Sequence, residues 1–213
     1  MPKFSKKEKV LGIGIAFIAI SIFILVYMFY PAIKVEIEYF FRDKNSDYEI
    51  VLADNLDETD RTDDKERIIP IDNEFSIIIP KLGANSKVVA NVDPYNSSEY
   101  QQKLAEGVAH AKGTKLPNEN GNIFLFAHST VDFYQANRWN AVFYLINKLE
   151  TGDEIVLVYK NDIYTYTVSE KLVVDRDQVE YLTEESDDQK LTLMTCWPIG
   201  TSWKRYLVIA KPQ

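Results

Sequence analysis

From Val10 to Tyr30 the chain reads VLGIGIAFIAISIFILVYMFY, 21 residues without a charge. As a helix rising about 1.5 Å per residue, the run spans roughly 30 Å, the thickness of a bilayer's hydrocarbon core. No polar face interrupts it, so a buried helix of a water-soluble core is a poor alternative. Signal-peptide apolar regions are shorter and end at a small-x-small site. Here PAIKVEIEYF follows instead, and we read an uncleaved anchor. Lys3, Lys6, Lys7 and Lys9 precede it against a lone Glu8, which predicts a cytoplasmic N-terminus and an extracytoplasmic remainder. Tyr27, Phe29 and Tyr30 are expected at the outer interface.

The rest of the chain excludes several classes. With 24 basic and 32 acidic residues the net charge is −8, which argues against nucleic acid as a partner, since phosphate neutralisation needs a basic surface. One cysteine forbids an internal disulfide, and one Cys with two His leaves little for zinc. No EF-hand spacing is present, so calcium is compatible with the many acids but not predictable from them, and no cofactor is expected.

Four segments are expected: a cytoplasmic basic tail (1–9), the transmembrane anchor (10–30), an acidic extracytoplasmic stalk (31–67) and a catalytic domain (68–213). Residues 31–41 read as a short amphipathic extension of the anchor. Residues 42–67 carry ten acids and five bases with few large apolar groups, the composition of a solvated spacer. From Ile68 short β-rich runs take over. Strands are predicted near Phe75–Ile79, Lys87–Asn91, Ile123–His128, Glu154–Tyr159, Ile163–Ser169, Lys171–Val174, Leu191–Cys196 and Tyr206–Ala210. A hairpin turn is read at 160–162, and short helices at 97–107 and 141–153, the latter with Gly152 at its C-cap. Eight short strands in such a length predict a mainly β fold, a small closed barrel with helical decorations.

Cys196 ends LTLMTC. Alternation places Thr192, Met194 and Cys196 on one face and Leu191, Leu193 and Thr195 on the other. A free thiol is often only a small buried hydrophobe. As a nucleophile it would need a neighbouring cation to favour the thiolate. His128 ends the apolar strand GNIFLFAHS, where a barrel delivers a side chain to its rim. His110, in GVAHAKGTKLP, reads as a packing histidine in a Gly-rich connector. Arg205 opens the strand after Cys196. If those strands pair antiparallel, it lies beside the thiol and can donate to an oxyanion. A solvated surface charge is the bland alternative for Arg205, and Lys204 points to the opposite face. Asp132 is near enough in sequence to tune His128, though a loop acid beside a histidine is usually just solvent-facing. No G-x-S-x-G elbow supports a serine nucleophile.

TLMTC (192–196) resembles the TLxTC signature of sortases, membrane-anchored cysteine transpeptidases of bacterial surfaces. FSIIIPKLG is similar to their opening strand, GVAHAKGTKLPNENGNIFLFAHS to the stretch ending at the catalytic histidine, and WKRYLVIA to the strand opened by the catalytic arginine. The resemblance covers about residues 68–213. It implies an eight-stranded sortase-type β-barrel with His128, Cys196 and Arg205 as catalytic residues. His128 would be the acid and base, Cys196 the thioacyl carrier and Arg205 the oxyanion and substrate ligand. Substrate-binding roles are implied for Thr195 and, by position beside the catalytic residues, expected for Ala127 and Trp197. The implied partners are surface proteins with a C-terminal LPXTG-like sorting signal, cleaved between Thr and Gly, and an amine acceptor such as a cell-wall precursor. Ala127 and Ser129 stand where the family usually has Gly before its histidine and often Arg after it. Pro117-Asn118-Glu119 replaces a frequent P-G-E turn, and Trp197-Pro198 follows the cysteine. No apolar segment follows Ala210, which favours a housekeeping, class A- or E-like or unassigned type. Two alternatives stay open: a thiol hydrolase with water as acceptor, and a membrane-tethered binding domain that has lost catalysis.

Overall fold

The computed structural model describes residues 6–42, 47–52, 65–129, 142–178, 180–183 and 187–213. Two compact units result, Met1–Phe41 and Arg42–Gln213. The first is a single helix, α1 (Lys6–Phe41). Within it Val10–Tyr30 is long and apolar enough to cross a membrane. The one hydroxyl in its middle is satisfied internally, Ser21 Oγ donating to Phe17 O at 2.9 Å, as an apolar surrounding requires. The helix continues through 31–41, as the sequence suggested, with Lys34 and Glu38 paired one turn apart at 3.5 Å.

In the second unit the elements run β1 (Tyr48–Ile50), β2 (Glu66–Ile68), β3 (Phe75–Ile79), β4 (Ala84–Val92), α2 (Ser97–Leu104), β5 (Val108–Ala111), β6 (Asn122–Phe126), β7 (Glu154–Tyr159), β8 (Asp162–Asp175), the one-turn α3 (Glu180–Thr183), β9 (Lys190–Trp197) and β10 (Lys204–Pro212). Strands β3 to β10 close into a barrel in the order β10-β8-β7-β3-β4-β5-β6-β9. The β4–β5 and β6–β9 pairs are parallel and the others antiparallel. Closure leaves no unpaired edge among these eight. One face of each strand fills the interior: Ile77 opposes Leu157, Ile155 opposes Tyr166, and Leu125 opposes Leu193, which opposes Val208. All of these are buried.

The mainly β, eight-stranded barrel is therefore the observed fold, though two strands differ from expectation. The runs 163–169 and 171–174 form one long strand, β8, which stays paired with β10 across a register shift at Ile209/Ala210. The eighth strand is β5, read from sequence as a connector. With four residues, all buried between two neighbours, it has no polar face to give an alternating pattern. Gly107 opens it because a Cβ there would fall 2.3 Å from Lys87 O on β4. The hairpin at 160–162 is as expected. Lys160 and Asn161 both adopt positive φ, 52° and 65°, the geometry of a two-residue turn that matches strand twist. The helix expected at 141–153 is replaced, over its described part, by turns and one 3-10 turn, Ile146–Lys148. Phe143, Leu145, Ile146 and Leu149 are all buried, at a spacing that one face of a helix would also give, so periodicity alone suggested a helix where the chain forms turns. Gly152 serves a turn with φ 99° rather than a helix cap.

The acidic segment differs as well. Residues 53–64 and 43–46 lie outside the described residues, but the flanking pieces are not solvated spacer. β1 and β2 pair in parallel, with Val51 N–H donating to Ile68 O at 3.1 Å. Ile50, Leu52 and Ile68 pack on the outward face of β3 and β7, against Ile78, Val156 and Val158. Tyr48 Oη donates to Glu154 Oε2, and the last residue holds the other oxygen, Gln213 Nε2 donating to Oε1 at 2.8 Å. Burial, with the Glu154 carboxylate adding to it, pushes the Tyr48 phenol up, so it stays a donor. Composition hid this because Ile50 and Leu52 belong to one short apolar run within a segment of ten acids, and Ile68 lies just beyond it. Ile50→Asp should place a charge on that apolar face and cost about 1–3 kcal/mol, read as a lowered urea midpoint of the detergent-solubilised chain. An unchanged midpoint would mean that the segment adds nothing to the barrel. Inside the barrel, the Tyr166 hydroxyl is buried without a hydrogen-bond partner among the described residues. Tyr166→Phe should therefore be neutral or stabilising by up to about 1 kcal/mol, whereas a substituted partnered hydroxyl would lose stability.

Candidate active site

Three adjacent strands deliver the site. β6 and β9 run parallel, so their C-terminal ends meet at one end of the barrel, and antiparallel β10 begins there. Cys196, the next-to-last residue of β9, is the direct Cα partner of Arg205 on β10. Directly paired residues project to the same face. On the other side Phe126 pairs with Met194, and Ala127 N–H extends that ladder by donating to Met194 O at 3.2 Å. One more step along this register brings His128 level with Cys196. The half-buried free thiol thus sits on the central strand, with the imidazole's strand on one side and the guanidinium's on the other.

All three side chains line a cleft of about 720 Å³. Among its described lining residues the cationic or cation-forming groups are Arg205 and His128, and no carboxylate joins them, in a chain of net charge −8. Arg205 Nη1 donates to Ser202 O at 3.2 Å and Lys204 O at 3.1 Å, which ties the guanidinium to the loop 198–203. That loop is folded by Thr201, whose N–H and Oγ1 both donate to Pro198 O, at 2.9 and 2.8 Å.

Thr195 and Ala127 also line the cleft, and they are bonded to each other. Thr195 Oγ1, buried, donates to Ala127 O at 2.8 Å. The residues immediately before the thiol and before the imidazole are thereby clipped together where the β6–β9 ladder ends. Trp197 lies elsewhere: strand alternation turns it to the face opposite Cys196, with its ring 5.1 Å from that of Tyr206, and it is not among the cleft-lining residues. The tryptophan that does line the cleft is Trp203, 72% exposed. His110 is wholly buried away from the cleft, as a packing histidine. Asp132 lies outside the described residues.

The far wall comes from α2, which contributes Tyr100, Gln101 and Leu104. Asn96 caps this helix, its Oδ1 accepting from Glu99 N–H at 3.3 Å. The Tyr100 ring meets Phe126 edge-on at 6.3 Å, so the helix rests on the strand that leads to His128. Sequence reasoning found the helix but not its place on the cleft. The four-residue spacing of Tyr100 and Leu104 was the available signal, since it defines one face without saying what that face meets.

The barrel is similar to known proteins. A family model of the sortase domain matches residues 77–213. Sortase D of Bacillus subtilis (strain 168) is 30% identical over 158 residues, spanning 72% of this chain and 71% of that protein. Among solved structures, a sortase D5 transpeptidase of Clostridium perfringens superposes with a TM-score of 0.54 at 28% identity, covering 67% of this chain and 79% of that one. Sortase C of the same organism, solved with the C-terminal cell wall sorting motif, gives 0.54 at 30% identity, covering 65% and 69%. With the eight-stranded barrel and a match over most of that barrel, the chain belongs to the sortase family.

Proposed function

We propose that this chain is a cysteine transpeptidase held at the membrane by Val10–Tyr30. It cleaves an LPXTG-like sorting signal and joins the new carboxyl end to an amine. Family membership supports transpeptidase chemistry in general. The observation that carries the specific assignment is the register that sets Arg205 opposite Cys196, with the strand of His128 on the other side. A cation next to a thiol favours the thiolate. The Cys196 thiolate adds to the scissile carbonyl, forming an S–C bond, and Arg205 donates to the resulting oxyanion. Collapse breaks the C–N bond, and the His128 imidazolium gives its proton to the leaving amine. The thioacyl intermediate then meets an incoming amine, which His128 deprotonates as the thiolate leaves. The basic residues before Val10 place the N-terminus in the cytoplasm and the barrel outside. A surface protein bearing the sorting signal and an amine of a cell-wall precursor are then the two substrates; the clostridial sortase C solved with the C-terminal cell wall sorting motif supports the first.

A library of sorting peptides, incubated with the chain and analysed for cleavage site and acyl acceptor, tests this reading. Cleavage between Thr and Gly with transfer to added amine is expected. Release to water alone would make it a hydrolase, and no labelling of Cys196 by an electrophilic peptide would make it a binding domain. Cys196→Ala should lose turnover by at least about 10³-fold with the barrel still folded, and undiminished cleavage would end the claim. Arg205→Lys, which keeps charge but not the planar fork, should lose about 10²-fold in kcat.

Thr195 is assigned here to the binding site through backbone support rather than direct contact, because its hydroxyl is committed to Ala127 O. Thr195→Val should cost about 1–2 kcal/mol of stability and slow turnover, with Thr195→Ser restoring both in denaturation and peptide assays. Equal behaviour of Val and Ser would show that the hydroxyl does nothing.

A further inference from the structure

His110 is a buried titratable group that the chemistry above does not use. It lies on β5, wholly buried on the interior face, as the Cα partner of Leu125. Both ring nitrogens are engaged, and their partners bracket one crossover. Nδ1 accepts from Asn91 N–H at 3.2 Å, near the end of β4. Nε2 lies 3.0 Å from Lys115 O and 3.1 Å from Thr114 Oγ1, beyond the end of β5. Thr114 Oγ1 spends its own proton on Ala111 O, so it offers Nε2 only a lone pair. The neutral ring protonated at Nε2 meets all of these demands, and the charged ring cannot accept at Nδ1.

Asn91 is where β4 leaves the ladder. Its φ is 59°, and the register with β5 shifts between Val89 and Val92. A bulge of this kind removes an N–H from its strand partner, and the imidazole supplies the acceptor instead. Lys112 N–H adds a second clip, to Val92 O at 2.8 Å. Between these points runs 93–107, which carries α2 and with it Pro94, Tyr100, Gln101 and Leu104 of the cleft wall.

We propose that His110 is a positioning residue for the cleft: its neutral ring latches the Asn91 bulge to β5 and so fixes the α2 wall, and protonation at Nδ1 releases that latch. The groups around the ring are few. β3 presents Phe75, ring centres 5.9 Å apart, with Tyr159 of β7 edge-on to it, and β6 presents Leu125. The turn after β5 presents the Thr114 hydroxyl and the Lys115 carbonyl. Glu119 is the charged group that acts on the ring, and its own carboxylate accepts from Leu116 N–H at 2.9 Å. Burial lowers the imidazole below its ordinary value of 6.5, against the smaller raising effects of Lys115 O and Glu119. The folded ring therefore binds its proton less readily than the unfolded one. Its contribution is complete above pH 6.5 and is lost as pH falls from there toward the lower folded value.

Hydrogen exchange of the detergent-solubilised full chain at pH 7.5 and 5.5, corrected for intrinsic rates, tests the latch without any substrate. Peptides covering 88–107 should gain about tenfold in exchange on acidification, with β7 peptides unchanged. His110→Asn keeps an acceptor near Nδ1 and cannot titrate, so the acid step should vanish. His110→Gln keeps a donor near Nε2 without the acceptor, so the segment should be loose at both pH values. An acid step spread evenly over the barrel, or one that survives in His110→Asn, overturns the proposal. The functional arm rests on the transpeptidase reading: with a sorting peptide that is turned over, KM should rise in acid for the native chain but not for His110→Asn, while kcat follows the same pH profile in both. A KM that moves alike in both overturns the coupling to the cleft. If no peptide is turned over, the transpeptidase reading fails, and the exchange experiment still decides the latch.

Discussion

Everything at the candidate site depends on the register of β9 against its two neighbours. Cα pairing puts Cys196 opposite Arg205 on one side, and the ladder that ends at Ala127 puts His128 level with it on the other. A slip of one residue on either side would turn the paired side chain to the opposite face. The barrel prevents that slip. The interior faces of β6, β9 and β10 are filled by Leu125, Leu193 and Val208, all with no exposed surface, and a closed ring of eight strands has no free edge along which one strand can move. Chemistry on the outer face is thus held in place by packing on the inner one.

That logic explains which parts of the molecule were legible in the sequence. Longer runs of large apolar residues announce themselves, as FSIII and EIVLVY do. Arg205 was readable because a strand end and the start of its antiparallel neighbour must lie together. β5 was not, since VAHA is only four residues long, two of them alanine, and offers neither a run of large apolar residues nor an alternating pattern. The turns from Val142 onward escape for the opposite reason. Phe143, Leu145, Ile146 and Leu149 carry the spacing of one helix face, and that spacing does not distinguish a helix from successive turns that bury the same residues. Trp197 shows the strength of a local rule: two-residue alternation already turns it away from Cys196, and adjacency in sequence is the weaker guide.

Polar side chains carry a second layer of information that no periodicity shows. Thr195 closes on Ala127 O, His110 reads the geometry of a bulge at Asn91, and Glu154 joins Tyr48 to Gln213. Each is a bond between segments separated in sequence, satisfying a buried or half-buried group at a place where a strand ladder stops or a chain end would fray. Such bonds follow from the fold and do not predict it.

The placement of β1 and β2 has a mechanical consequence. In the ring of eight strands β3 stands four positions from β9 in either direction, so the N-terminal segment seats on the wall facing away from the thiol's strand. A pull transmitted along the chain from its N-terminal side enters the barrel through β1, with the Tyr48 hydroxyl on Glu154 and the apolar patch at Ile78 as its first points of resistance. The load falls on β3 and β7 before it reaches β6, β9 or β10. Tension on the chain before β1 is in this way kept from the strands that carry Cys196, His128 and Arg205.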